Sequence, residues 1–315
     1  MTPLGLVGGV VQPLLILAGS PLLLGVMRQI RARLEGRRGA GIGQPWRDLR
    51  KLMRKQRITP RGTTEVFRVA PVLLVATTLV VAVVAPFVTI TSAVGPVADL
   101  FAVVALLALG TVAVALAGLD TGTAFGGMGA SRETTILALV EPTLLVAIFA
   151  LSVRVGSTNL PAIVSATLED PGQVLSSASL LAAVALMIVI VAETGRLPVD
   201  NPATHLELTM VHEAMVLEYA GPDLALIELG SAMRLSVYLG LLANLFFPIG
   251  IATELSVLGI LGGVVAFAVK VTVLGAALAT TEVFLAKLRL FRVPELLAGS
   301  FLLALLAAGA SYFLG

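Results

Sequence analysis

Residues 192–223, AETGRLPVDNPATHLELTMVHEAMVLEYAGPD, hold both histidines of the chain, Glu193, Glu207, Glu213 and Glu218, and three of its 16 prolines. On either side lie apolar runs, 175–193 and 224–248, rich in Ala, Val and Leu. A block this dense in ionisable groups, set between two runs long enough to enter a bilayer, reads as a structured loop at one membrane face. It is expected to couple a partner protein to proton movement in the bilayer.

The rest of the chain supports a membrane setting. Its 315 residues are 57% hydrophobic and 13% charged, against about 25% charged in a soluble domain. Mean hydropathy is +1.01. The composition predicts an all-α polytopic membrane protein forming a single membrane domain over 1–315. A span takes about 20 apolar residues, and eight stretches qualify: 4–26, 69–93, 97–119, 134–153, 175–193, 224–248, 255–281 and 297–314. The first lacks a basic leader and a small-residue cleavage site, so it reads as a retained span.

There is no cysteine. That excludes a thiolate-held iron–sulfur cluster, a cysteine zinc site and a disulfide framework. Two histidines leave almost no room for paired haem ligation. The chain is expected to carry no metal, no cofactor, no catalytic residue and no redox centre of its own. In a redox system, electrons would travel in another subunit.

Charge sets the expected orientation. Residues 27–68 hold 13 of the 21 Lys and Arg, and the face shared by the loops after spans one, three, five and seven holds 18. The positive-inside rule makes this face cytoplasmic, with both termini outside. Within 27–68, Trp46, Leu49, Leu52 and Met53 fall on one side of a helix beginning near Gln44. Arg47, Arg50, Lys51, Arg54 and Lys55 surround the rest. That pattern suits an interfacial amphipathic helix on anionic lipid. Gly39, Gly41 and Gly43 form a turn; they lack the strand and Gly-Lys-Ser/Thr ending of a phosphate loop. Residues 154–174 read as a turn on the other face.

Charges inside spans are costly and point to function. Glu141 sits about 10 Å into span four by helix rise and precedes Pro142, so it can hold and pass on a proton, or form a static pair with Arg234 or Lys270. Glu228 and Arg234, six residues apart, cannot pair with each other and need partners on other spans. Lys270 reads as a relay member or a counter-charge for Glu141 or Glu193. Glu254 and Glu282, near span ends, read as solvated at the interface.

In the central loop, Asn201-Pro202 is a helix-start signature and Gly221-Pro222 a stop, predicting a cytoplasmic helix over 202–220. Leu208, Val211, Met215 and Tyr219 form one apolar stripe; Leu206, Met210 and Leu217 form another. His212-Glu213 opens like a zinc-protease motif, but Val216 stands where the second histidine belongs. His205 and His212 are two turns apart, too far to chelate one metal. They are expected to hydrogen-bond at a subunit contact, with a protonation role as the other reading.

AETGRLPVDNP followed by EYAG resembles subunit 1 of respiratory NADH:quinone oxidoreductase and its relatives in membrane-bound [NiFe] hydrogenases. The likeness rests on Ala192, Glu193, Thr194, Arg196, Pro198, Asp200, Pro202, Glu218, Tyr219 and Gly221. Gln44-Pro45, Asp48 and Lys51-Leu52 also fit, as does Gly129-Ala130-Ser131-Arg132 with Glu141 nine residues on. HLELTMVHEAMVLEYAG looks like the hydrogenase branch, the formate hydrogenlyase and hydrogenase-4 type; the respiratory branch usually has Asn where Gly195 stands. The resemblance implies a non-catalytic membrane anchor for an iron–sulfur small subunit and a [NiFe] large subunit, flanked by antiporter-like membrane subunits, with no nucleic acid involved. It places Glu141, Glu193, Glu207, Glu213 and Glu218 on a proton path, to which the in-membrane charges add Glu228 and Lys270. It places Arg196, Asp200 and the 202–220 helix, with Arg132, His205, His212 and Tyr219, at the subunit interface. The alternatives are a quinone-binding subunit of a respiratory oxidoreductase and a stand-alone ion transporter.

Overall fold

A computed structural model describes residues 3–92, 94–200, 210–254 and 256–314. Its helices are α1 (Pro3–Leu34), α2 (Gln44–Met53), α3 (Glu65–Val84), α4 (Leu100–Asp120), α5 (Ala124–Val155), α6 (Leu160–Glu169), α7 (Ser177–Glu193), α8 (His212–Val216), α9 (Gly221–Phe246), α10 (Val257–Phe284) and α11 (Val293–Leu314). Among the described residues, seven helices are long and apolar enough to cross a membrane. The fifth expected span, 175–193, is α7, which is apolar throughout but has 17 residues. The all-α polytopic reading holds.

The bundle has two halves. One groups α1, α3, α9 and α10; the other groups α4, α5, α7 and α11, and they meet where α3 packs on α4 and α7 on α9. Helix α9 is central: every residue from Ala232 to Phe246 is buried, as expected of a helix apolar all round. Side chains open the helices in a regular way. Thr64, Asp99, Thr123, Asn159, Ser176 and Ser256 each accept a backbone N–H from the first turn that follows, satisfying donors a helix start leaves open.

The helix bounds differ from expectation in four places. Span 69–93 stops at Val84, because Pro86 cannot continue a helix. The chain beyond runs extended and buried, and its backbone groups find partners inside the bundle, as an apolar medium demands. Gln12 Oε1 accepts from the N–H groups of Phe87 and Val88 (3.0 and 2.8 Å), and Asn244 Nδ2 donates to the carbonyls of Pro86 and Phe87 (2.9 and 2.8 Å). Span 134–153 begins ten residues early, at Ala124, where Thr123 caps it. The 154–174 turn contains a helix, α6, whose Leu160, Ile163 and Val164 are buried; Asn159 and Pro161 are its start signal.

The helix expected over 202–220 is the fourth. Residues 201–209 lie outside the described residues. In the remainder only His212–Val216 is helical, and Val211 (φ −119°, ψ −81°) departs from helix geometry. The Met210 carbonyl is taken instead by Arg132 (2.8 Å), and the His212 N–H by Asp200 (3.4 Å). The stripe residues Val211, Met215 and Tyr219 are still buried. Gly221 starts α9 rather than ending a helix. It holds φ +59°, and a Cβ there would lie 2.5 Å from the Gln56 carbonyl oxygen, so the loop after α2 crosses it at backbone distance.

Helix α2 is amphipathic as expected, but it packs against α1 and α9. Leu49 is buried, and Trp46 donates its indole N–H to the Ala18 carbonyl of α1 (3.2 Å).

Candidate functional site

The ends of α1, α5, α7 and α9 that carry the basic loops surround a cavity of about 290 Å³. Leu24, Leu49, Leu74, Val114 and Ile227 form its apolar wall. Arg28, Arg31 and Arg196 stand on one side; Glu133, Glu193, Asp200, His212, Glu213, Glu228 and Arg234 make up the rest of its charged lining.

Glu193 is the last residue of α7 and is 6% exposed. Its Oε2 accepts from Arg234 Nη2 (2.6 Å), Tyr238 hydroxyl (3.1 Å) and Thr111 hydroxyl (3.4 Å). The other oxygen, Oε1, is buried with no protein partner. Arg234 thus finds its partner on another span, Glu193, and not Glu141.

Glu133, on α5, is 1% exposed. Its Oε1 lies 3.3 Å from His212 Nε2, and its Oε2 is buried without a partner. Sequence reasoning stopped at Arg132 and missed this residue. The available signal was Ile136, Leu137 and Val140, at three, four and seven residues on, which are buried on the same helical face.

His212 also faces Asp200, with Nδ1 3.7 Å from Oδ2. Asp200 in turn receives Lys287 Nζ at 2.8 Å. Burial disfavours the imidazolium, but Glu133 and Asp200 outweigh it and hold the His212 pKa well above its ordinary 6.5. Burial raises the Asp200 pKa, and the hydrogen bonds from His212 and Lys287 overcome it, leaving it at about 2. The imidazole sits where only glycine leaves room. Gly195 holds φ +58°, and a Cβ there would fall 2.9 Å from His212 Nδ1.

Glu282, expected to be solvated, is 3% exposed and bridges Arg31 and Arg196, the latter at 3.3 Å. Burial, followed by the charges of Arg31 and Arg28, lowers the Arg196 pKa to about 10. Asp223, in the first turn of α9, is likewise buried and pairs with Arg57 at 2.7 Å.

The other expected site residues lie apart. Glu141 is partly exposed on α5, two turns beyond Glu133, and does not line the cavity. Glu218 is exposed. Tyr219, expected at a subunit contact, is turned inward: it stacks on Phe67 (4.0 Å, 5°) and donates to the Phe67 carbonyl at 2.7 Å. Lys270 is a counter-charge for neither Glu141 nor Glu193; its amine donates to the Asn244 side chain and the Phe247 carbonyl, toward the far end of α9. His205 and Glu207 lie outside the described residues. Among the described residues, no group of three or more His, Asp or Glu could hold a metal ion.

Residues 8–311 match the family described as NADH dehydrogenase. The chain belongs to that family. Two Escherichia coli K12 proteins are similar to this NADH dehydrogenase family member along most of its length. It is 36% identical to hydrogenase-4 component C over 94% of this chain and 92% of that one. It is 34% identical to formate hydrogenlyase subunit 4 over 94% and 95%. NADH-ubiquinone oxidoreductase chain 1 of Petunia hybrida is 28% identical over 79% of this chain and 73% of its own. The fold of this family member matches a chain of the membrane-bound sulfane sulfur reductase, an archaeal respiratory membrane complex, with TM-score 0.84 at 21% identity, covering 98% and 99%.

Proposed function

We propose that the chain is the non-catalytic membrane-anchor and proton-coupling subunit of an energy-converting [NiFe] hydrogenase or formate hydrogenlyase complex. It docks the iron–sulfur-bearing arm at the basic end of the bundle, on the cytoplasmic side of a prokaryotic inner membrane, with both termini outside. Antiporter-like subunits flank it in the membrane. The relatives among hydrogenase-type subunits support the partners. The charged cavity at the basic end carries the coupling role.

The carrying observation is that Glu133 and Glu193 line one cavity, each buried with one oxygen unpaired. Such carboxylates respond to distant charge. An electron arriving about 14 Å away shifts a buried charge by about 1.2 kcal/mol at an effective dielectric constant near 20. That is close to a tenfold change in proton affinity. Glu213 and Glu228 extend the acidic lining, and Glu141 continues along α5 toward the membrane interior. Arg196 and Asp200 hold the loop that faces the arm.

Mass spectrometry of the complex released in mild detergent tests the partners, with a nickel-bearing large subunit and a cluster-bearing small subunit expected. Glu193→Gln in sealed vesicles tests the coupling. Proton movement per electron should fall at least tenfold, and an unchanged ratio would refute it.

The apolar wall facing a charged lining favours a second reading, in which the cavity takes a quinone head group. A photoreactive quinone that labels Leu49 or Met215 would support this reading; absence of labelling would dismiss it.

A further inference from the structure

We propose that His212 is the proton carrier between the loop surface and the buried carboxylates Glu133 and Glu193. This rests on the proton-coupling reading above and adds the residue through which protons enter.

The geometry is that of a relay. The ring lies between two carboxylates, with Nε2 3.3 Å from Glu133 and Nδ1 3.7 Å from Asp200. About a third of the side chain is accessible (32%), while its Nε2 faces an acid that is 1% exposed. Two buried carboxylate oxygens around the same cavity have no protein partner: Glu133 Oε2 and Glu193 Oε1. Buried polar groups are normally satisfied. Two such orphans in a space able to hold several waters, at about 30 Å³ each, mark a wet path.

Around His212, helix α5 brings Glu133 and Arg132, the latter bonded to the Met210 carbonyl. The segment after α7 brings Asp200 and Arg196, and the segment after α10 brings Lys287, bonded to Asp200. Glu193 and Arg234 pair across the cavity, and Glu213 neighbours the ring on α8. Asp120, the charged residue of α4, accepts the Thr64 N–H at 2.7 Å.

One transfer runs as follows. The imidazolium carries hydrogen on both nitrogens. The Nε2 hydrogen passes to Glu133 Oε1, leaving a neutral ring and a neutral acid. Glu133 then releases that proton to cavity water beside Glu193, and the ring, which has kept its Nδ1 hydrogen, takes a new proton at the bare Nε2 from water supplied from the loop side. Each step moves one proton and no electrons.

The test uses the whole complex in sealed vesicles, reading protons moved per electron during dye-driven turnover. His212→Gln should lower that ratio at least tenfold. In His212→Ala, millimolar imidazole should restore it, with substituted imidazoles ranking by their basicity. A wild-type ratio in His212→Gln, or no rescue in an assembled His212→Ala complex, would overturn the proposal. Wild-type vesicles that turn over and move no protons would overturn the coupling reading instead, and this proposal with it. If the variant chains fail to assemble, exchange of the His212 Cε1 hydrogen in the wild-type complex can be followed by peptide mass spectrometry against pH. Its midpoint should differ between the oxidised and reduced complex; an identical midpoint rejects the carrier role.

Discussion

Arg234 Nη2 donates to Glu193 Oε2 at 2.6 Å, tying the last residue of α7 to the middle of α9. The pair joins the two halves of the bundle at the place where the cavity ends. Both side chains are buried, so neither charge can be left alone cheaply.

Arg234→Met should therefore lower the stability of the complex by about 3–5 kcal/mol, the usual cost of breaking a buried pair from one side. The double variant Glu193→Gln/Arg234→Met should recover much of that loss. Thermal unfolding in detergent measures both, and a single variant as stable as wild type would show that the pair contributes nothing.

Gly195→Ala should cost about 1–2 kcal/mol for a left-handed backbone. It should also displace the imidazole, since the new Cβ meets His212 Nδ1 at 2.9 Å. The same variant should lose proton movement in vesicles. Retained coupling with only a stability loss would separate Gly195 from His212.

Asp200 makes an acid-side prediction. Its pKa falls from 3.8 unfolded to about 2 folded. Its stabilisation is therefore complete above pH 4 and disappears as pH falls toward 2, with about 2 kcal/mol at stake. Lys287→Gln should flatten the unfolding profile in that window.

His212 makes the opposite prediction. Its folded pKa lies well above 6.5, so its contribution is complete below pH 6.5 and is lost as pH rises through the folded value. Melting temperature should drop as pH rises above 6.5, and Glu133→Gln should reduce the drop. Equal alkaline sensitivity in wild type and variant would remove Glu133 as the partner.

Gln12→Leu should expose the buried Phe87 and Val88 N–H groups to loss of their acceptor, at about 1–3 kcal/mol for each donor left unmet. Hydrogen exchange at those two amides should accelerate before any other part of α3 or α4 responds.

Much of this was legible in the sequence because a bilayer enforces a simple rule. Apolar runs of 20 residues give helices, and charges within them mark sites, so Glu193, Arg234 and the 192–223 loop stood out at once. The Glu141 and Lys270 readings show the limit of that rule. Depth along a span says that a charge needs a reason, but not which neighbour supplies it. Glu133 was missed because it lies just before the expected span 134–153, and Glu282 was read as solvated because it lies near a span end; the early start of α5 and the fold of the loops bury both.

By itself the sequence determined the membrane class, the order of the spans, the charge polarity of the loops and the absence of any cysteine-based centre. All of these follow from composition and from periodicity along one chain. Only the tertiary structure decided that His212 meets Glu133 and Asp200, that Glu282 is a buried bridge, and that among the described residues of the loop only His212–Val216 is helical. Those outcomes depend on which groups α5, α9 and the segment after α10 bring to the same point. Contacts between residues scores of positions apart are set by packing, and no local pattern encodes them.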